Sequence, residues 1–198
     1  MIKPYFFTAA LAVAALSGCV APVGPVDVTR FHALDISALG KGGIAVEPAP
    51  GVDGSSLEFR SYAAAVARQL TLLGYSEAPA GSPSGQIALI RLSRQNYRPQ
   101  RSSSPVSVGI GGSTGSFGSG LGVGIGLNLS GAPAEQVETD LAVTIKDRVT
   151  GAPLWEGRAS YTVSAKSPLA ATQLGAAKIT EALFAGFPGQ SGETIQVK

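Results

Sequence analysis

One thiol and one imidazole bound the chemistry open to this chain: Cys19 is the only cysteine and His32 the only histidine in 198 residues. Cys19 closes the run Leu16-Ser17-Gly18-Cys19, and a positive start (Met1, Lys3) leads into apolar residues from Tyr5 to Leu16. A basic start, a short apolar core and small residues before the cut are the parts of a secretory signal. With a cysteine just after the cut, the pattern reads as a bacterial lipoprotein signal covering residues 1–18. The Cys19 sulfur then carries diacylglycerol, and cleavage frees an amine that a third, palmitate-class chain can acylate. One acyl chain binds membranes only marginally, whereas two or three anchor stably. The apolar run is too short to span a bilayer, which takes about 20 residues. Val20 stands where an aspartate would, by resemblance to the enterobacterial sorting rule, hold the protein at the inner membrane. The expected location is therefore the outer membrane, facing the periplasm.

A cysteine committed to lipid leaves no disulfide and no free thiol. Without a second histidine, a transition-metal site has no ligand set. A serine hydrolase would need His32 as its base, and no nucleophile elbow is present. Glu47, Asp53, Glu58, Asp140 and Glu156 are scattered, with no pairing visible. The expectation is a non-enzyme with no catalytic residue, no metal and no cofactor. The formal charge of +2 drops to +1 once Lys3 leaves with the signal. That gives no argument for nucleic acid.

The elements that must hold any working surface follow from periodicity. Residues 19–27 are small, apolar and proline-broken, which suits a tether. One domain is expected over 28–198. Val28 to Leu34 and Gly43 to Pro48 read as strands. Phe59, Ala63, Val66, Leu70 and Leu73 recur at helical steps and predict a helix over Leu57–Leu73, capped by Ser55 or Ser56 and ended by Gly74. Gln86 to Tyr97 predicts a long strand. Thr139–Lys146 and Leu154–Val163 predict a hairpin across Asp147–Gly151, with Trp155 and Tyr161 on the sheet. A second helix is expected from about Leu169 to Phe184, with Leu174, Ala177, Leu183 and Phe184 as its core side. Thr194 to Val197 is a last edge strand. This order predicts an α+β fold: a mostly antiparallel sheet with two helices packed on one face.

Residues 105–131 contain no charge, and aliphatic residues alternate with glycine and serine at both ends. Period two predicts a long Gly-rich β-hairpin with Phe117 near its tip. It could extend the main sheet, form an arm that enters membrane or adds to a neighbour's sheet, or remain a loop. No Gly-Lys-Ser/Thr follows its glycines, so phosphate binding is rejected. Arg91, Arg94, Arg98 and Arg101 precede it as a loose basic stretch. Together with Phe117 they are the candidate interaction surface, the other reading being a solvated strand end.

The tether, the Phe31-containing first strand and the helix end Leu72-Leu73-Gly74-Tyr75 are similar to one family. So are the glycine insert, Leu141–Asp147 followed by Thr150-Gly151, and Leu154-Trp155-Glu156-Gly157. Together they resemble the domain-of-unknown-function family 4136 of bacterial envelope lipoproteins, over roughly Val28 to Gly189. The chain departs from that pattern at Phe31-His32-Ala33-Leu34 and just before Ile87. The resemblance implies location and fold and brings no activity. The expected function is a lipid-anchored outer-membrane lipoprotein for envelope maintenance, or an accessory subunit of an envelope complex. Its partners would be the membrane through Cys19 and an envelope protein or a second copy. The alternatives are a self-assembling or membrane-inserting protein acting through the glycine-rich segment, and a module binding a small ligand or lipid.

Overall fold

A helix placed between two strands returns the chain to the end it left, so the flanking strands run parallel; a tight turn reverses it. Both connections occur in this protein, whose computed structural model describes residues 24–83, 85–100, 106–115, 118–127 and 133–198. The strands are β1 (Val26–His32), β2 (Gly43–Pro48), β3 (Ser76–Glu77), β4 (Gln86–Tyr97), β5 (Val106–Gly115), β6 (Gly118–Leu127), β7 (Gln136–Asp147), β8 (Pro153–Ser164) and β9 (Thr194–Val197). The helices are α1 (Leu57–Leu72) and α2 (Thr172–Phe184), the second preceded by a 3-10 turn at Pro168–Ala170.

Seven strands form one sheet in the order β3-β2-β4-β7-β8-β1-β9. β2 pairs parallel with both β3 and β4, and the other four pairings are antiparallel. The sheet is thus mixed, not mostly antiparallel as the turn signals suggest. The reason is α1, which carries the chain from β2 back to the start of its neighbours. The α+β class holds.

Burial alternates along β7, where Val137, Thr139, Leu141, Val143 and Ile145 are buried. Against this face lie Phe59, Tyr62, Val66 and Leu70 of α1 and Ile179, Leu183 and Phe184 of α2, in one continuous core. α1 begins where the Ser56 hydroxyl accepts from Phe59 N–H at 3.0 Å, relieving one unpaired donor of the first turn. Its C-cap is Leu73, and the next residue, Gly74, has a φ of +102° and a 2.7 Å approach of a notional Cβ to the Gly40 carbonyl, which exclude a side chain. Tyr75 follows, buried, and its hydroxyl donates to Gln86 Oε1 at 3.2 Å.

α2 differs from the sequence expectation. It starts at Thr172, and Leu174 and Ala177 are exposed, while Gly175, Ala176 and Ile179 face the core. Gly175 sets this rotation: a Cβ there would lie 2.3 Å from Tyr161 Oη and 2.7 Å from the Leu169 carbonyl. Only glycine lets the helix approach Tyr161 this closely.

β5 and β6 pair antiparallel with each other as a separate two-stranded sheet, from Val106↔Leu127 to Gly115↔Gly118. Ser116 and Phe117, which would close a hairpin, lie outside the described residues, as do the expected signal, Cys19 and Arg101.

Candidate functional site

Strand register decides which residues share an end of the sheet. Asp27 pairs with Ser160, Ser160 with Asp140, and Asp140 with Ser93, forming one row across β1, β8, β7 and β4. Further along the same direction lie Val26, and then Tyr97 opposite Gln136. The chain entering β1, the chain leaving β4 for β5, and the chain entering β7 therefore all cross one end.

Arg94 organises that end. Its Nη1 donates to Glu58 Oε1 at 2.8 Å and Thr172 Oγ1 at 3.2 Å, and its Nη2 donates to the Ala170 carbonyl. Glu58 sits in the first turn of α1, where the helix dipole favours an acid. One guanidinium thus ties the N-termini of both helices to β4. The Glu58 partner is 42% exposed, so the ion pair by itself is worth about 0–1 kcal/mol, and the role of Arg94 is to position. A cleft of about 490 Å³ opens beside it, lined by Glu58, Arg94, Asn96, Val137, Ala165 and Ala170. A second of about 410 Å³ lies between Arg98, Glu135 and Lys166.

Beneath Arg94 the core carries polar groups. Tyr161 Oη donates to the Leu169 carbonyl at 3.1 Å. Tyr62 Oη and Thr139 Oγ1 are buried without a hydrogen bond among the described residues. Burial pushes the Tyr62 phenol up to about 12, with the neighbouring Tyr161 adding to the rise. Burial likewise raises Tyr161 and Tyr75. These phenols stay protonated at neutral pH, and Arg94 is engaged by three partners, so the groups hold elements together.

A pH prediction follows. An unfolded phenol ionises near pH 10.0 and the folded Tyr62 near 12, so between them the unfolded chain binds fewer protons. Stability is therefore intact below pH 10 and falls as pH rises through that window, by at most about 1.4 kcal/mol per pH unit from this residue. Urea midpoints measured from pH 9 to 11.5 should fall, and Tyr62→Phe should flatten the decline. Equal slopes in the two proteins would refute the assignment.

The structure separates the sequence candidates. Arg91 is exposed on the helix-free face, in a groove of about 300 Å³ with Asp27, Ser93, Asp140 and Arg158. Arg94 points to the opposite face. Arg98 lies beyond the end of β4. Arg101 and Phe117 are outside the described residues. The His32 ring is bonded to the Ala33 carbonyl through Nδ1 at 2.7 Å. Among the described residues, no three of His, Cys, Asp and Glu gather as a metal site. Glu47 is held below the usual carboxylate range, first by the Gly81 N–H and also by Arg148.

Sequence reasoning missed Arg30. It sits mid-strand on the core side and is 5% exposed. Its Nε donates to the Leu183 carbonyl at 3.0 Å and its Nη2 to the Ala182 carbonyl at 3.2 Å, capping the C-terminus of α2. The signal was its place one step beyond Val28 on the buried side, where a charge needs a partner. No partner acid in the sequence pointed to a helix end.

The motifs behind the family resemblance also have structural roles. Asp147 Oδ1 accepts from Thr150 N–H and Oγ1, both at 2.8 Å, and Gly151 takes a φ of +73° to complete the turn. Gly157 leaves room for the Trp155 ring, which a Cβ at 157 would meet at 2.2 Å. Gly74 and Tyr75 end α1 as described above.

An uncharacterized protein of Zymomonas mobilis is 27% identical over 98% of this chain and 85% of its own length. A PDZ domain protein from Parabacteroides distasonis superposes over 98% of this chain with a TM-score of 0.47 and 12% identity, and this chain spans 43% of that protein. The PelC dodecamer from Paraburkholderia phytofirmans gives a TM-score of 0.39 at 12% identity, over 80% of this chain and 96% of that one. The sequence pattern described as "domain of unknown function (DUF4136)" matches residues 44–189, from β2 to the loop after α2, and the chain belongs to that family.

Proposed function

We propose that this protein is a lipid-anchored, non-enzymatic lipoprotein of the outer membrane, facing the periplasm. It would serve envelope maintenance or act as an accessory subunit of an envelope complex, through the end of the sheet organised by Arg94. One observation carries the reading: the Leu16-Ser17-Gly18-Cys19 run stands seven residues before Val26, where β1 enters the sheet at that end. Seven extended residues reach at most about 25 Å, so a lipid on Cys19 would hold this end close to the bilayer. Among the described residues no helix is long and apolar enough to cross a membrane.

The test is labelling of cells with radioactive palmitate, followed by membrane fractionation. The native chain should carry label and sediment with the outer membrane, and Cys19→Ser should lose the label entirely. A native chain that carries no label, or equal label in both proteins, would overturn the proposal.

A further inference from the structure

The strand pair β5–β6 has its own design. Its register sets Val106 opposite Leu127, Val108 opposite Ile125, Ile110 opposite Val123 and Gly112 opposite Leu121. The positions between set Ser107 opposite Gly126, Gly109 opposite Gly124 and Gly111 opposite Gly122. Successive strand residues alternate between faces, so by position one face of the ribbon is aliphatic over Val106–Ile110 and Leu121–Leu127 and closes with Thr114 opposite Ser119, and the other is glycine and serine. No Asp, Glu, Lys or Arg occurs between Arg101 and Glu135. Each strand is 10 residues long. A transmembrane β-strand takes about 9–11 residues, with apolar residues alternating outward.

Topology adds the direction. The ribbon is joined to the Tyr97↔Gln136 end of the β4–β7 ladder by residues 98–105 and 128–135, eight on each side. That is the end at which the tether from Cys19 enters β1. Exposed apolar side chains do not choose an end, since Leu57 and Leu174 stand at this one and Leu72 and Val149 at the other. The exits of tether and ribbon choose it together.

Resting on the lipid-anchor reading above, we propose that β5 and β6 enter the bilayer as a transmembrane hairpin, and that several copies of this chain close their hairpins into one β-barrel. Closure is required by the chemistry of the backbone. A lone ribbon has two free edges whose N–H and C=O groups find no partner in hydrocarbon, and only a closed ring of strands removes them. The smallest such barrels have eight strands, which calls for at least about four copies. The aliphatic face meets lipid, and the glycine and serine face lines a neutral lumen.

The experiment places a single thiol-reactive, environment-sensitive dye along the ribbon of the full-length chain, bound to vesicles of phosphatidylethanolamine and phosphatidylglycerol. The Cys19 sulfur is occupied once lipidated, so an introduced cysteine is the one free thiol; a Cys19→Ser background covers the unlipidated case. Dyes at Val108→Cys, Ile110→Cys and Ile125→Cys should be quenched by doxyl-labelled lipid and protected from iodide. Dyes at Ser107→Cys, Ser113→Cys and Gly124→Cys should show the reverse, and detergent extracts should contain an oligomer. Serine positions keep the second set readable if the glycine variant fails to fold. Membrane-bound protein whose six dyes are all quenched by iodide would overturn the barrel and leave the anchor standing. Alternating quenching without palmitate on Cys19 would overturn the anchor and leave the ribbon standing. Alternating quenching by a monomer would overturn closure.

Discussion

Replacing Trp155 by alanine is expected to destabilise the protein by about 3–5 kcal/mol, the range for deleting a buried aromatic. For a domain of this size that lowers the melting temperature by about 6–20 °C. The indole is 1% exposed, stacks on Phe184 at 5.3 Å with 17° between planes, and meets Phe187 at 5.2 Å. Its Nε1 donates to the Pro188 carbonyl at 2.9 Å. Alanine removes both contacts and leaves that carbonyl without its donor. Phenylalanine keeps most of the packing and loses the hydrogen bond, so Trp155→Phe should fall between, at about 1–3 kcal/mol. Gly157 supplies an internal control. In the native background, alanine there meets Trp155 Cη2 at 2.2 Å and Leu183 Cδ1 at 2.8 Å. In the Trp155→Ala background the first obstacle is gone, so adding Gly157→Ala should cost less than it does alone. Denaturant melts of the four proteins give the coupling, and strict additivity would rule out the direct contact as its cause.

Arg30→Met should cost about 1–3 kcal/mol, because it leaves the Leu183 carbonyl without its donor while the Ala182 carbonyl keeps the Ala185 N–H at 3.3 Å, and it conserves most of the volume. Burial shifts the guanidinium's ionisation downward, with Glu193 opposing that shift. What holds the charge there is the negative end of α2. Arg30→Lys should recover part of the loss, since an ammonium lacks the planar fork that reaches two carbonyls. Urea midpoints measure the cost, and amide exchange in the last turn of α2 locates it. A methionine variant as stable as the native chain would mean that desolving the cation costs as much as its two bonds return.

Elements with strong periodicity were legible. The sequence boundaries of β2, β4 and β9 match the structure, and α1 ends one residue earlier than expected. Its stripe holds at Phe59, Val66 and Leu70, with Ala63 and Leu73 half-buried at its margin, while Tyr62 and Ala65 are buried without being expected there. Helix period alone cannot tell whether a tyrosine belongs to the edge or to the floor of a core. The parallel pairing of β2 was missed because strand order depends on where the crossover helix lies down. Leu174 was placed inside because it is apolar; Gly175, which governs the rotation, acts by lacking a side chain, and hydrophobic patterning does not register that. The four arginines before the glycine-rich segment looked contiguous in sequence. The pleat sends Arg91 and Arg94 to opposite faces, so proximity along a strand is not proximity on a surface.

The position of β1 has a mechanical meaning. Its residues from Val26 to Thr29 are bonded on one side to β9, and those from Asp27 to His32 on the other to β8, both antiparallel. A pull on the N-terminal chain acts along the axis of this strand and loads both ladders at once, in shear. Hydrogen bonds loaded side by side share a force that would open them one at a time if the strand were peeled from its end. A tug transmitted through an anchor would thus meet the sheet in its strongest direction, and the last strand of the chain would serve as the second jaw of the clamp.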